Sequence, residues 1–301
     1  MVQLEDEIRQ LKEDRNAVVV AHNYQRDEVQ AVADKVGDSL ALARFCAETD
    51  AAVIVFCGVH FMAESASLLS PEKTVLLPVA DAGCPMADMV GVDELKAWRR
   101  DHPGIPVVCY INSSAAVKAE SDIICTSSNA VAVVRSLPDP EILFIPDRNL
   151  GQYVADQVPE KTVHLWPGFC PTHDRIRAVH VEEARAAHPD AVLLVHPECR
   201  PEVCRLADFV GSTKQILDHA RTSPASTFLI GTEEGVLWTL RRDNPGKRFF
   251  LAGPGFFCPN MKKTTLESVR DALVHMRHVI QPPPDTADRA RAALARMLAV
   301  R

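Results

Sequence analysis

The sequence predicts an α/β protein of three homologous αβα-sandwich domains with small parallel sheets, arranged with pseudo-threefold symmetry around a central active site. Three observations predict this fold class. A Cys-Pro pair occurs at Cys84, Cys170 and Cys258, in steps of 86 and 88 residues. Helix-like and strand-like patterns alternate between these pairs. Equivalent strands end in a polar residue, and a hydroxyl follows each of these residues 17 positions later.

Each repeat opens with an amphipathic helix and an apolar strand. In the first repeat, residues 4–15 are apolar at helical spacing, and the strand over residues 17–21 runs into His22. A second strand, a further helix and a third strand then lead to the cysteine. The opening helix and strand return twice, at residues 93–100 and 106–109 before Tyr110, and at residues 181–187 and 191–195 before His196.

The hydroxyls that follow the strand ends stand just before helical patterns. They are Ser39 after His22, Ser127 after Tyr110 and Thr213 after His196. Serine and threonine often cap helices, so capping alone would explain these three residues. Alternatively, three helix N-termini aimed at one point would form an anion site suited to carboxylates and phosphate.

The repeats divide the chain into domains at residues 1–84, 85–170 and 171–258. A tail over residues 259–301 contains two helical patterns, at 264–278 and 288–300, separated by a proline-rich break. We expect the tail to complete the first domain by packing on it. A small element at an interface between domains is the alternative.

Composition narrows the function classes. The net charge of -7 and the pI of about 5.9 argue against a nucleic-acid partner, because the protein's field repels phosphate backbones. We also expect a cytoplasmic protein, since neither a signal peptide nor an apolar stretch of spanning length is evident. The nine cysteines are then mainly reduced thiols, and those that bind a metal become the question.

Three cysteines at equivalent positions would meet at one point and form a soft metal site. Catalytic zinc takes three protein ligands and a water, and a cubane iron–sulfur cluster held by three cysteines keeps one iron open. Each cysteine is expected to precede a helix N-terminus, which favours its thiolate form. The alternative is that the three are small buried hydrophobic residues.

The remaining six cysteines show no sign of a functional role, and several common catalytic and nucleotide-binding motifs are missing. We interpret Cys46, Cys57, Cys109 and Cys125 as core residues, and Cys199 and Cys204 as having no special role. The sequence lacks a Walker pattern, a dinucleotide fingerprint and a Gly-x-Ser-x-Gly elbow, so NAD, ATP and serine hydrolysis are unsupported.

Polar groups at the strand ends are expected to line a cleft, because ligands of parallel sheets bind beyond the carboxyl ends of the strands. The candidates that would face the same axis as the cysteines are His22, Tyr24, Tyr110, Asn112, His196 and Glu198.

These motifs together resemble the quinolinate synthase A family, the bacterial and plant iron–sulfur enzymes of NAD biosynthesis. The resemblance covers nearly the whole chain. Its most specific stretches are Ala21-His22-Asn23-Tyr24-Gln25, Gly37-Asp38-Ser39, Phe61-Met62-Ala63-Glu64, Gly83-Cys84, Tyr110-Ile111-Asn112, Cys125-Thr126-Ser127-Ser128-Asn129, Pro167-Gly168-Phe169-Cys170, His196-Pro197-Glu198-Cys199, Gly211-Ser212-Thr213 and Cys258-Pro259-Asn260-Met261.

The resemblance implies three homologous domains, a [4Fe–4S] cluster with three cysteine ligands, and a known reaction. Family members condense iminoaspartate with dihydroxyacetone phosphate to give quinolinate, and they release phosphate and water. An L-aspartate oxidase or an aspartate dehydrogenase would be the functional partner that supplies iminoaspartate.

By matching position, the resemblance also implies residue roles. Tyr24 corresponds to a tyrosine that covers the family's active site, Glu198 is our candidate proton shuttle, and His196 and Tyr110 complete the catalytic set. Met261 stands where some relatives have a second cysteine, so a redox disulfide is not expected there. The implied ligands of the cluster are Cys84, Cys170 and Cys258, and the implied substrate-binding residues are His22, Ser39, Tyr110, Asn112, Ser127, His196, Glu198 and Thr213.

Two other classes of function stay open at this point. A ligand-binding or iron-sensing module would keep the cysteines but would not need the Tyr-x-Asn and His-Pro-Glu motifs together. An electron-transfer protein would need a fourth cysteine ligand, for which Cys199 is the only obvious candidate.

Overall fold

The computed structural model describes residues 2–300, so Met1 and Arg301, at the outer ends of the predicted first domain and tail, lie outside it. Within the described range, no helix is both long and apolar enough to cross a membrane. The helices are α1 (Val2–Asp14), α2 (Asp27–Val32), α3 (Ser39–Glu48), α4 (His60–Leu69), α5 (Val92–Asp101), α6 (Ala115–Ala119), α7 (Ala130–Ser136), α8 (Arg148–Gln157), α9 (Pro171–Asp174), α10 (Ala178–Ala187), α11 (Pro201–Cys204), α12 (Thr213–Thr222), α13 (Val236–Asp243), α14 (Leu266–His275) and α15 (Pro284–Ala299).

The strands form three small sheets of identical topology. Each sheet has four parallel strands, and the orders are β2-β1-β3-β4, β6-β5-β7-β8 and β10-β9-β11-β12. This confirms the predicted α/β class with three αβα sandwiches. The strands are β1 (Ala17–His22), β2 (Lys35–Gly37), β3 (Val53–Cys57), β4 (Thr74–Leu76), β5 (Val107–Tyr110), β6 (Ile123–Cys125), β7 (Glu141–Ile145), β8 (Thr162–Leu165), β9 (Val192–Val195), β10 (Phe209–Val210), β11 (Thr227–Gly231) and β12 (Arg248–Leu251).

Nearly continuous apolar runs in the central strands reflect burial on both faces of the sheets. In the first sheet, Val20 and Ile54 face a large core shared by all three units, whereas Val19 and Val55 face a smaller core under α1 and α14. The third sheet divides its strand residues between the shared core and a core of its own in the same way. The shared core therefore holds the three sheets together.

A polar contact repeated in each unit supports their common origin. The carboxylates of Asp34, Asp122 and Asp208 accept hydrogen bonds from the backbone N–H groups of Val19, Val107 and Leu193, at 2.8, 2.7 and 2.8 Å. The same three carboxylates pair with a basic side chain of the unit's opening helix, namely Lys12, Arg99 and Arg185. Each contact therefore holds a short edge strand against the neighbouring strand, whose carboxyl end leads to the site.

Two sequence-based expectations about the strands need correction. The sequence predicts three strands in each unit, but each sheet has a fourth at its edge, of only two or three residues (β2, β6 and β10). These strands are too short to show a hydrophobic period. The third predicted strand also stops before the cysteine rather than entering it, since β4 ends at Leu76 and a loop leads on to Cys84.

The two tail helices pack on different units. Helix α14 packs on α1 and β3 of the first unit, and its Val269 and Leu273 join the core that contains Ile8. Helix α15 packs mainly on α6 and β6 of the second unit and also contacts α4 of the first. The first tail helix thus packs on the first unit, and the second lies across the interface between the first and second units.

The packing of α14 yields a stability prediction. Leu273→Ala is expected to lower the free energy of unfolding by about 2–5 kcal/mol, because it leaves a cavity in the core under the first sheet. Val274→Ala, next to it on the same helix but 36% exposed, should change stability by less than about 0.5 kcal/mol. Chemical denaturation of both variants checks this. Equal effects would mean that α14 is not part of this core.

Candidate functional site

A cavity of about 140 Å³ lies at the carboxyl ends of the central strands of all three sheets. Its walls come from every unit, because β1 ends at His22, β5 ends at Tyr110 and β9 stops one residue before His196. The structure brings every sequence-predicted site residue to this cavity: His22, Tyr24, Ser39, Cys84, Tyr110, Asn112, Ser127, Cys170, His196, Glu198, Thr213 and Cys258.

The three predicted hydroxyls line the cavity without capping a helix. The side chain of Asp38 caps α3 by accepting from the Ala41 N–H, and that of Ser212 caps α12 by accepting from the Gln215 N–H. Ser39 and Thr213 are instead the first residues of these helices. Ser127 lies three positions before α7 begins. The capping interpretation is therefore wrong, and the three hydroxyls face the cavity, with that of Ser127 next to His196 and that of Thr213 bonded to Tyr24.

Two histidines occupy equivalent strand ends and have the same local geometry. The Nδ1 atom of His22 accepts from the Tyr24 N–H at 3.2 Å, and that of His196 accepts from the Glu198 N–H at 3.3 Å. Burial lowers the pKa of His22 to about 3 and that of His196 to about 4. Both rings are therefore neutral near pH 7 and carry their hydrogen on Nε2. The Nε2 atom of His196 lies 3.3 Å from the hydroxyl of Ser127.

Glu198 is a buried carboxylate with donors on both oxygens. Oε1 accepts from the Tyr110 hydroxyl at 2.7 Å, and Oε2 lies 2.8 Å from Nδ1 of His173. Burial by itself raises the pKa of Glu198, but the neighbouring His173 and His196 and these hydrogen bonds outweigh it and hold the pKa below its usual range. Glu198 is thus ionised near pH 7.

A continuous hydrogen-bonded chain connects this carboxylate to Tyr24. The Nε2 atom of His173 lies 2.9 Å from the Thr232 hydroxyl, which lies 2.7 Å from the Tyr24 hydroxyl. The Tyr24 hydroxyl also lies 2.7 Å from the hydroxyl of Thr213. Burial raises the pKa of Tyr24, so its phenol keeps its proton. The chain joins polar groups from the first and third units, and its members other than Thr232 line the cavity.

Each of the three cysteines begins a single turn of the same shape. The carbonyl oxygens of Cys84, Cys170 and Cys258 accept from N–H groups four residues later, at 3.3, 2.8 and 3.2 Å. The turn after Cys170 is α9, whereas the other two cysteines are followed by a short 3-10 turn and by plain turns. The expected helix N-terminus is therefore confirmed at Cys170, which is the N-cap residue of α9, and is wrong at Cys84 and Cys258, although the turn geometry repeats at all three.

The turns direct backbone N–H groups at the cysteine sulfurs. Donors within the three turns are the N–H groups of Met86 and Ala87, of His173, and of Asn260 and Met261. Burial nevertheless raises the pKa of all three thiols, to about 12 for Cys84. A thiol in this setting loses its proton only when a cation takes the proton's place, as metal binding does.

The donor set of the cavity fits a soft metal centre. Three sulfurs at equivalent positions supply the ligands that iron–sulfur clusters and zinc prefer. Cys199 does not line the cavity and packs in the third unit's own core, with its sulfur 3.4 Å from the carbonyl of Gly231. A second arrangement of donors consists of Cys170, His173 and Glu198, whose ligand atoms lie within 4.8 Å of one another.

Sequence reasoning missed several residues of the site. His173 follows Cys170 by three positions, and the equivalent positions after the other cysteines hold Ala87 and Met261, so the repeat gave no signal for it. The carboxylates of Asp147 and Glu233 accept the backbone N–H groups of Cys170 and Cys258, both at 3.1 Å. Their positions, 23 and 25 residues before these cysteines, are the signal that was available in the sequence.

The fold and the site together define an α/β enzyme whose cavity combines thiols, neutral imidazoles and a buried carboxylate. The chain matches the family model described as quinolinate synthetase A protein over residues 6–299. It is 58% identical over 295 residues to a quinolinate synthase of Caldicellulosiruptor bescii, covering 98% of this chain and 97% of that protein. It is 59% identical over 297 residues to one of Geobacter metallireducens, covering 99% of this chain and 97% of that protein.

A third relative broadens the set of organisms. The chain is 56% identical over 297 residues to a quinolinate synthase of Methanoregula boonei, covering 99% of this chain and 98% of that protein. The chain belongs to the quinolinate synthetase A family, and it is an enzyme of NAD biosynthesis. This confirms the resemblance identified from the sequence motifs.

A buried lysine supports the loop that carries Tyr110 and Asn112. Lys118 is fully buried, and its Nζ donates to the carbonyl of Ser113 at 2.6 Å, while the Ser113 hydroxyl donates to the carbonyl of Tyr110. Burial lowers the pKa of Lys118 from 10.5 to about 8. Between these pH values the unfolded chain holds a proton that the folded chain has released, so this group makes the protein more stable as the pH rises.

The titration of Lys118 gives a pH-dependent prediction. Wild-type protein should gain about 1 kcal/mol of unfolding free energy per pH unit, relative to Lys118→Met, between about pH 8 and 9.5. The difference should be flat below about pH 8, because both states are then protonated. Urea denaturation across this range checks it, with the exposed Lys96→Met as the control. Parallel curves for wild type and Lys118→Met would contradict it.

Proposed function

We propose that this enzyme condenses iminoaspartate with dihydroxyacetone phosphate to form quinolinate, with release of phosphate and water. The observation that carries the proposal is the composition of the cavity. Cysteines from three equivalent turns, two neutral histidines and the ionised Glu198 line one small space at the junction of the three sheets. The family membership supports the same activity.

We further propose that Cys84, Cys170 and Cys258 hold a [4Fe–4S] cluster. The fit rests on three sulfurs at equivalent turns, on the N–H groups directed at them, and on the absence of a fourth cysteine from the described cavity wall. Bound by three thiolates, such a cluster supplies a Lewis-acidic iron that assists the loss of water.

The cavity recognises anionic substrates chiefly with neutral donors. Arg175 is the one arginine or lysine on the wall within residues 2–300, and its side chain is exposed. The N–H groups on Nε2 of His22 and His196 and the hydroxyls of Ser39, Ser127 and Thr213 therefore bind the carboxylate and phosphate oxygens. Neutral donors orient an anion without neutralising it.

Asn112 offers the substrates a further contact. Its Oδ1 is buried and has no hydrogen-bond partner within the described residues, while its Nδ2 lies 3.5 Å from Glu198. An unpartnered buried carbonyl is costly unless a ligand satisfies it. An imine N–H or a substrate hydroxyl meets that requirement, so Asn112 positions the group that must lose a proton.

Glu198 is the general base and acid of the proposed mechanism. Its carboxylate faces the cavity, and the Tyr110 hydroxyl and His173 hold it in one orientation. The carboxylate takes a proton from substrate carbon or nitrogen and returns it to a leaving hydroxyl. Tyr24, only 9% exposed and bound to Thr213 and Thr232, closes the cavity beside it and excludes water.

The metal content tests the cysteine assignment directly. After anaerobic purification, the wild-type chain should hold about four iron and four sulfide, and Cys84→Ala, Cys170→Ala and Cys258→Ala should each lose most of both. Cys199→Ala is the matched control and should keep the wild-type content, because Cys199 lies outside the cavity. Iron and sulfide analysis with visible spectra measures this.

Two results would overturn the cluster assignment. Loss of the cluster in Cys199→Ala would mean that a fourth cysteine ligates it. One zinc without sulfide, lost in His173→Ala as well as in Cys170→Ala, would instead identify the Cys170, His173 and Glu198 donors as a mononuclear site.

The role of Glu198 is tested by an isosteric change. Glu198→Gln should lower kcat about 100- to 10,000-fold, because the amide cannot take up the proton, while iron content stays at the wild-type level. Quinolinate formation from enzymatically generated iminoaspartate measures the effect. Glu183→Gln, at an exposed position on α10, is the control. An activity of Glu198→Gln close to that of this control would remove Glu198 from the mechanism.

A further inference from the structure

A buried ion pair lies between the Cys258 turn and the segment that carries Tyr24. The Nζ atom of Lys262 donates to the backbone carbonyl of Tyr24 at 2.6 Å and to the carboxylate of Glu233 at 3.0 Å. The side chain of Lys262 is 7% exposed and that of Glu233 is fully buried. Neither charge therefore has an alternative partner in solvent.

Both members of this pair are also tied to Cys258. The second carboxylate oxygen of Glu233 accepts the Cys258 N–H at 3.1 Å. The backbone N–H of Lys262 donates to the Cys258 carbonyl at 3.2 Å and so closes the turn that this cysteine begins. The position of the Lys262 ammonium thus depends on the conformation of the Cys258 turn.

The backbone of the Tyr24 segment packs closely against Gly235, which leaves no space for either to shift alone. A Cβ atom added to Gly235 would lie 2.7 Å from the carbonyl carbon of Tyr24, 2.7 Å from the carbonyl oxygen of Gln25 and 2.8 Å from Nζ of Lys262. The side chain of Gln30 donates to the carbonyls of both Gln25 and Gly235 at 2.9 Å. A displacement of this part of the third unit is therefore transmitted to the backbone of Tyr24.

We propose that Glu233 and Lys262 are positioning residues that couple the Cys258 turn to the placement of Tyr24. When the turn holds its metal-binding conformation, the Lys262 ammonium fixes the Tyr24 carbonyl and the Tyr24 hydroxyl reaches Thr213 and Thr232. When the turn is released, the Tyr24 segment loses this anchor. The proposal rests on the proposed function for its metal, but the contacts belong to the chain alone.

Hydrogen exchange of the cluster-loaded protein tests the coupling. Lys262→Met keeps the length of the side chain and removes the ammonium. It should raise exchange of backbone amides in residues 22–30 about 10- to 100-fold, since one charged hydrogen bond to this segment is lost. Iron content and exchange in α7 and α10 should match the wild type. Lys263→Met, whose surface lysine binds Asp81, is the matched control and should leave residues 22–30 unchanged.

Additional variants distinguish a specific coupling between the Cys258 turn and Tyr24 from a general loss of protein stability. Lys262→Arg keeps a cation and should restore slow exchange at least in part. If Lys262→Met does not fold, the paired replacement Glu233→Met with Lys262→Met removes both charges together and should show the same fast exchange in residues 22–30. Removing iron from the wild-type protein with a chelator should also speed exchange in residues 22–30.

Clear outcomes overturn the proposal. The ion pair does not position this segment if backbone amides of residues 22–30 exchange in Lys262→Met at the same rate as in the wild type. A uniform increase in exchange rate throughout the variant would show the same. Unchanged exchange after iron removal would show that the turn and the segment are independent. A chain that makes no quinolinate but shows coupled exchange would refute the proposed function alone.

Discussion

The site depends on one constraint of parallel sheets, which is that all strands finish at the same edge. Because the three sheets share one topology, three such edges converge on a common cavity. The shared hydrophobic core holds these edges in contact, and the repeated pairs of Asp34, Asp122 and Asp208 fix the strand beside each one. Chemistry that no single unit contains arises where the units meet.

The electrostatics of the cavity are unusual for a site proposed to bind anions. Burial keeps His22 and His196 neutral and keeps the thiols protonated in the absence of a cation, whereas Glu198 stays ionised with donors from Tyr110 and His173. The polypeptide therefore brings an anion to the centre of the cavity. Within residues 2–300, the exposed Arg175 is the one arginine or lysine on the cavity wall, so the polypeptide places little positive charge beside this anion.

Much of this arrangement could be predicted from the sequence, because motifs that recur at equal spacing indicate units of the same topology. The 17-residue steps from His22, Tyr110 and His196 placed six wall residues correctly, since each step spans the same crossover within a unit. The short edge strands escaped detection because two or three residues show no period. His173 escaped because only one repeat has it, and Asp38 and Ser212 escaped as caps because each adjoins a hydroxyl that looks equally suitable.

The distribution of the cysteines among the units has a consequence for biosynthesis. The ribosome synthesises Cys84 first and Cys258 last. The contact of the Glu233–Lys262 pair with Tyr24 joins a segment that is synthesised late to one that is synthesised early. The nascent chain therefore exposes an incomplete set of thiols until the third unit has emerged and docked. The three-cysteine ligand set of the proposed cluster is therefore complete only after this docking.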